Sequence, residues 1–73
     1  MLEIRFFATL RKNRGKVQEI EFHSEITGED IIKYFQIEKE EVSLFLVNGF
    51  HQPLTKKLCD GDIISIFPPV GGG

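Results

Sequence analysis

One long stretch of this chain, TGEDIIKYFQI at positions 27–37, spaces its apolar residues as a helix does, while MLEIRFFA and VQEIEFH alternate with a period of two and VSLFLVNGF is a strand-like run rich in branched and aromatic residues. That contrast is the strongest constraint on the fold. The 73 residues suffice for one domain, and a sheet built from the alternating runs has a single helix to cover it. Ile31, Ile32 and Phe35 fall on one side of that helix and must pack on the sheet. Thr27 is placed to cap the helix, with Asp30 three residues on to answer it as a short capping box.

The opening MLEIRFFA sets Leu2, Ile4, Phe6 and Ala8 on one face and Glu3, Arg5 and Phe7 on the other. A basic, polar stretch runs to Gly15, and VQEIEFH then alternates again with Ile20 and Phe22 inward, which predicts a hairpin with a loose, charged connection. Beyond the acidic turn EKEE, the strand-like run VSLFLVNGF stops at Asn48-Gly49, a pair that tolerates positive φ and is a strong hairpin signal. A short fourth strand is expected around Phe50 to Gln52, ended by Pro53. LTKKLCDGD reads as a short helical turn or loop anchored by Leu54 and Leu58, with Asp60-Gly61 reversing the chain. In the last strand, IISIFPPV, Ile64 and Ile66 share one face, and Ile63, Ser65 and Phe67 the other; Pro68-Pro69 cannot donate ladder hydrogen bonds, so pairing stops there.

The order strand, strand, helix, strand, short strand, strand is satisfied by an α+β arrangement, one mixed sheet of about five strands over one helix. This is the β-grasp or ubiquitin-like fold, with the first and last strands parallel and adjacent at the sheet centre. Residues 1–70 would form the domain and 71–73 a flexible glycine tail. Parallel central strands would bring Phe7 and Phe67 together on the face away from the helix, beside the point where the tail leaves. Such a patch either serves a partner or is covered by neighbouring loop side chains.

Charge and composition exclude several functions. The formal net charge is −2, and the nine basic residues are dispersed apart from Arg11, Lys12, Arg14 and Lys16, which read as a solvated loop. A nucleic-acid binder needs a dominant basic face, so none is expected. No run of about 18 apolar residues predicts a membrane span, and with no secretory leader and a single cysteine, Cys59, the expected location is the cytoplasm. Cys59 has no cationic activator nearby in sequence and reads as structural. His23 and His51 lack acidic or thiol neighbours at ligand spacing, and Asp60 and Asp62 around Gly61 fit turn chemistry better than paired catalytic carboxylates. No nucleophile has a base at reach, so an enzyme acting alone is not expected.

The remaining feature is the ending FPPVGGG. Lacking Cβ atoms, Gly71, Gly72 and Gly73 can extend through a narrow channel and let a partner's backbone approach closely. Their only functional group is the α-carboxylate of Gly73, a poor electrophile until adenylation makes its oxygen a leaving group. Pro68-Pro69 stiffens the exit from the last strand and holds the glycines away from the body. A frayed end or a flexible linker would also look like this.

With FFATLRK near the start, VNG in the middle, DGD before the last strand and FPPV ahead of a glycine pair, the chain resembles the small sulfur carriers of the MoaD/ThiS family over nearly its whole length. The combination of FFA-x-L-R with FPPV-x-G-G resembles the molybdopterin synthase small subunit, MoaD, more than the thiazole-pathway carrier, ThiS. The resemblance implies no bound cofactor. An activating enzyme of MoeB/ThiF type would use ATP to adenylate the Gly73 carboxylate, a persulfide source would convert it to a thiocarboxylate, and a MoaE-type large subunit or another acceptor enzyme would take the sulfur for molybdopterin synthesis. It also implies Gly73 as acyl carrier, Gly71 and Gly72 in the tail, and Phe7, Phe67, Pro68, Pro69, Val70 and His51 as partner-facing positions. Gly71 and His51 depart from the family's usual side chains at those places. The same tail would serve a thiazole-pathway carrier or a ubiquitin-like modifier joined to lysines, and the fold alone would serve a passive interaction domain.

Overall fold

The computed structural model describes residues 1–70; the expected flexible tail, with Gly71, Gly72 and the acyl-carrier position Gly73, lies outside the described residues. Five strands, β1 (Leu2–Phe6), β2 (Val17–Ile20), β3 (Leu44–Val47), β4 (Phe50–His51) and β5 (Ile63–Phe67), form one mixed sheet in the order β2-β1-β5-β3-β4. The helix α1 (Gly28–Tyr34) covers one face. This is the β-grasp architecture. β1 and β5 run parallel at the centre with Ile4 beside Ile64 and Phe6 beside Ile66, and the other pairings are antiparallel.

Alternation decides what each strand buries. Leu2, Ile4 and Phe6 of β1, Phe45 and Val47 of β3, and Ile64 and Ile66 of β5 face inward to meet Ile31 and Ile32 of the helix. Phe35, half-buried just beyond the helix, sets its ring edge-on to Phe6 at 4.9 Å between centroids. The helix start forms as expected: the Thr27 hydroxyl accepts from the Asp30 amide, and the Asp30 carboxylate accepts from the Thr27 amide at 2.9 Å. In the first turn Glu29 accepts a hydrogen bond from Lys39 at 2.6 Å, and that bond, with the carboxylate's charge, raises the lysine pKa.

The helix is shorter than its pattern. It ends at Tyr34, Gln36 enters the left-handed region at φ 58°, and Ile37 is returned to the core by a bond from its amide to the Ile32 carbonyl. Arg14 braces this end, its guanidinium donating to the carbonyls of Leu10 and Phe35 at 3.1 and 3.2 Å. The connection between β1 and β2 is accordingly not the loose loop expected. Ala8 does not continue the inward face of β1: it is exposed, takes φ 53° and opens a 3₁₀ turn over Ala8–Arg11, and Leu10 fills the core instead. β2 stops at Ile20, with Phe22 packing on the core from beyond the strand. LTKKLCDGD forms turns without a helix, although Leu58 is buried as an anchor.

Asn48 and Asp62, from the VNG and DGD segments, meet at the end of the sheet away from the tail root. Asn48 takes φ 53° and Gly49 φ 86°, the two positive angles of a tight hairpin turn. The Asn48 side-chain amide donates to Asp62 at 2.9 Å and its carbonyl accepts from the Ile63 amide at 2.9 Å, while Asp62 also accepts from the Cys59 amide. Asn48→Ala removes both side-chain bonds and keeps the unfavourable φ, so an expected loss of about 1–2 kcal/mol is measurable by urea unfolding. Asn48→Gly, which relieves the φ but still loses the bonds, is expected to fall in between.

Candidate functional site

The tail root leaves the sheet from the carboxyl end of β5, next to the carboxyl end of its parallel partner β1. This geometry places Phe7 and Phe67 together: their rings stack with centroids 4.1 Å apart and 13° between planes. Both rings are half-buried. They stand on the face away from the helix, as the alternation of both strands requires.

Part of the cover comes from a residue that sequence reasoning assigned to solvent. The Arg11 guanidinium lies 5.3 Å from the Phe7 ring centroid, and its Nε donates to the Phe6 carbonyl at 2.9 Å. The basic cluster is therefore not all loose: exposed Arg11 and half-buried Arg14 brace the fold through guanidinium hydrogen bonds to backbone carbonyls, while Lys12 and Lys16 are exposed as expected. The one available signal was spacing, since Arg11 lies four residues beyond Phe7 across a tight turn.

The register extends the patch beyond the two rings. Phe67 pairs with Leu44 of β3, and Leu46 pairs with Ser65 on one side and His51 on the other. Leu44 and Leu46, half-buried, share the outer face with Phe67 and Ile63. Across β1 and β2 the same face turns polar, with Glu3 and Arg5 paired at 2.5 Å and Glu19 beyond them. The outer face is thus divided into an apolar half over β5 and β3 and a charged half over β1 and β2. Sequence reasoning did not single out Leu44 and Leu46, although strict alternation of VSLFLV was enough to place them opposite Phe45 and Val47.

His51 is exposed on β4, level with Ser65 and two strands removed from β5, so it borders the patch at the sheet's edge rather than joining the stack. Pro68 is half-buried, while Pro69 and Val70 are exposed, Val70 to 92%. These three, with Ala8, Thr9, Leu10, Glu40 and Glu41, line a groove of about 380 Å³ at the tail root. Its two walls are the turns Ala8–Arg11 and Lys39–Glu41, so the chain leaves the body between two short 3₁₀ turns.

Other chemistry-bearing residues lie elsewhere. Cys59 is exposed at the turn before β5 rather than packed inside, and His23 is exposed beyond β2. Asp62 serves its turn through the bonds described above. Among the described residues no three His, Cys, Asp or Glu side chains are grouped to hold a metal ion, and no helix is long and apolar enough to cross a membrane.

Comparisons with known proteins bear on this arrangement. The ThiS family model matches residues 4–73. No curated protein matches the chain. Among solved structures, the Haloferax volcanii HVO 2177 protein is similar at 32% identity and a TM-score of 0.79, over 99% of this chain and 85% of that one. The putative molybdopterin converting factor subunit 1 of Pyrococcus furiosus has 25% identity and a TM-score of 0.75, over 94% and 97%. In a Helicobacter pylori structure, a complex of subunits 1 and 2 of molybdopterin-converting factor, the matched chain has 26% identity and a TM-score of 0.66, over 99% and 97%. SAMP1 of Haloferax volcanii shares the fold at a TM-score of 0.79 and 22% identity, over 99% and 98%.

Proposed function

The chain belongs to the ThiS family, and from that premise we propose that it carries sulfur on the α-carboxylate of Gly73 for delivery to a molybdopterin-forming acceptor. The observation that supports this reading is the apolar face at the tail root. A carrier must be held by one enzyme while its end is charged and by another while it is discharged, which needs a docking surface beside the reactive end. The Phe7–Phe67 stack, extended by Leu44 and Leu46, is such a surface.

The chemistry asks little of the domain itself. An activating enzyme of MoeB/ThiF type joins the Gly73 carboxylate to AMP, with pyrophosphate leaving. A sulfur nucleophile then attacks the acyl carbon and AMP leaves; with hydrosulfide as nucleophile the thiocarboxylate forms directly. This chain positions the carboxylate, with Pro68 and Pro69 setting the exit and the stacked rings setting the dock. The acceptor is a MoaE-type large subunit, a reading supported by the subunit 1–subunit 2 complex of the Helicobacter protein.

Intact mass spectrometry tests the proposal. The chain, ATP, sulfide and a MoeB/ThiF-type enzyme are expected to yield a species heavier by the exchange of one oxygen for sulfur, absent when Gly73 is deleted. No gain, with an enzyme that charges its own carrier in the same buffer, overturns it. A second reading, a ubiquitin-like modifier, is favoured by the fold shared with SAMP1. It predicts Gly73-dependent adducts on lysines in cell lysate.

A further inference from the structure

The sheet has two edges, and they are unequal. β4 has two residues, Phe50–His51, whereas β2 has four and forms the whole of the opposite edge. The direction of the β2 backbone follows from its pairing. The Phe6 amide donates to the Lys16 carbonyl at 2.9 Å, so Phe6 and Lys16 are a hydrogen-bonded pair. Antiparallel ladders alternate bonded and non-bonded pairs, which makes Arg5–Val17 and Glu3–Glu19 the non-bonded ones. The N–H and C=O groups of Val17 and Glu19 therefore point away from the sheet.

Beside that edge lies a groove of about 370 Å³ between β2 and the helix, lined by Ile20, Glu21, His23, Ile26, Asp30 and Tyr34. Ile26 is buried at its base, and Tyr34, 68% exposed, forms the helix-side wall. A strand added to β2 would send alternate side chains toward this groove and the rest over the outer face beside Val17 and Glu19. Both directions carry exposed carboxylates, Glu21 and Asp30 at the groove and Glu19 on the outer face. Val17 is 50% exposed and offers apolar contact on the outer face.

We propose that the β2 edge is a docking site for an extended peptide of a partner protein, taken as a sixth strand, with apolar residues entering the β2–helix groove and lysine or arginine residues meeting Glu19 on the outer face. Backbone bonds to Val17 and Glu19 hold such a segment, and the groove and carboxylates select it. Charge favours a basic partner over a second copy of this chain, because pairing β2 with itself gathers the Glu19 and Glu21 carboxylates of both chains onto one short ladder. The site is on the opposite side of β1 from the tail strand β5 and is independent of the sulfur-carrier reading.

The test is amide NMR on the isotope-labelled chain, titrated with a capped synthetic peptide of about eight residues, an ordinary strand length, alternating lysine with valine or isoleucine. Expected are shift changes along residues 17–21 and at Tyr34, slowed exchange of the Val17 and Glu19 amides, and the same affinity when residues 71–73 are removed. Glu19→Lys is expected to weaken binding roughly fivefold, as the loss of one cross-strand ion pair worth about 1 kcal/mol would. A peptide N-methylated at alternate amides should not bind. Glu19→Pro deletes an outward donor together with the Glu19 carboxylate and should weaken binding while the spectrum remains that of the folded chain; the N-methylated peptide, which meets an intact Glu19, tests the backbone bonds alone and also serves if that variant does not fold. The proposal fails if the shifts map to Phe7 and Phe67, if an equivalent glutamate-containing peptide binds as tightly, if the N-methylated peptide binds equally, or if the chain dimerises through β2.

Discussion

Phe67→Ala is expected, under the proposed carrier role, to weaken binding to a MoeB/ThiF-type activating enzyme roughly thirtyfold or more, the loss of about 2 kcal/mol typical of a central aromatic contact. The ring is placed for such a role: it stands on a central strand, one residue before Pro68, and is half-buried against Phe7. Removing it also leaves Phe7 without its stacking partner, a contact worth about 0.5–1.5 kcal/mol beyond the area buried. Part of the effect will therefore appear as lost stability. Two measurements separate the parts: affinity by calorimetry with the activating enzyme, and the urea midpoint of the isolated chain. Phe67→Leu keeps apolar area but not the ring, and should lie between the native chain and Phe67→Ala in affinity. Native affinity in a folded Phe67→Ala variant would show that the enzyme docks elsewhere.

Gly28→Ala is expected to destabilise the fold by about 1–3 kcal/mol, the usual cost of inserting a methyl group into a filled core. Helix propensity predicts the opposite sign, since alanine is favoured over glycine by about 1 kcal/mol inside a helix. Geometry decides between them. A Cβ at Gly28 would lie 2.5 Å from Phe45 Cζ, 2.9 Å from Phe45 Cε2 and 3.1 Å from Leu54 Cδ2. Phe45 is 3% exposed and cannot swing into solvent. For a domain of this size the loss corresponds to a melting temperature lower by roughly 5–20 °C. Shrinking the opposing ring should rescue it: Gly28→Ala with Phe45→Leu is expected to be less destabilised than the sum of the single changes. A raised melting temperature for Gly28→Ala would mean that the helix start lies farther from β3.

Several features of this protein follow from local pattern alone. Period-two alternation is a property of the extended backbone, so MLEIRF and IISIF each determined which side chains face the helix before any partner strand was known. With one helix to cover one sheet, the strand order had few solutions, and the parallel central pair made the meeting of Phe7 and Phe67 foreseeable from their positions near the ends of their strands. The Asn48-Gly49 turn and the Thr27–Asp30 cap were legible for the same reason: each is made by residues within a few positions of one another.

What only the tertiary structure decided involves residues distant in sequence or a choice between close local alternatives. Ala8 continues the alternation of β1 on paper, yet the chain must turn there to bring Leu10 into the core, and burial of a leucine outweighs an alanine held at positive φ. Arg14 was one charge in a basic cluster until the end of the helix, 21 residues on, supplied a carbonyl for it to cap. The helix stopped early because returning Ile37 to the core requires a left-handed step at Gln36. Gly28 carries no local sign of constraint, since only the approach of Phe45 from β3 forbids it a side chain. Periodicity thus determined faces and order, because it acts over neighbours along one strand or helix. Register, close approach and the partners of charged side chains were decided by packing, because they depend on surfaces that no single segment contains.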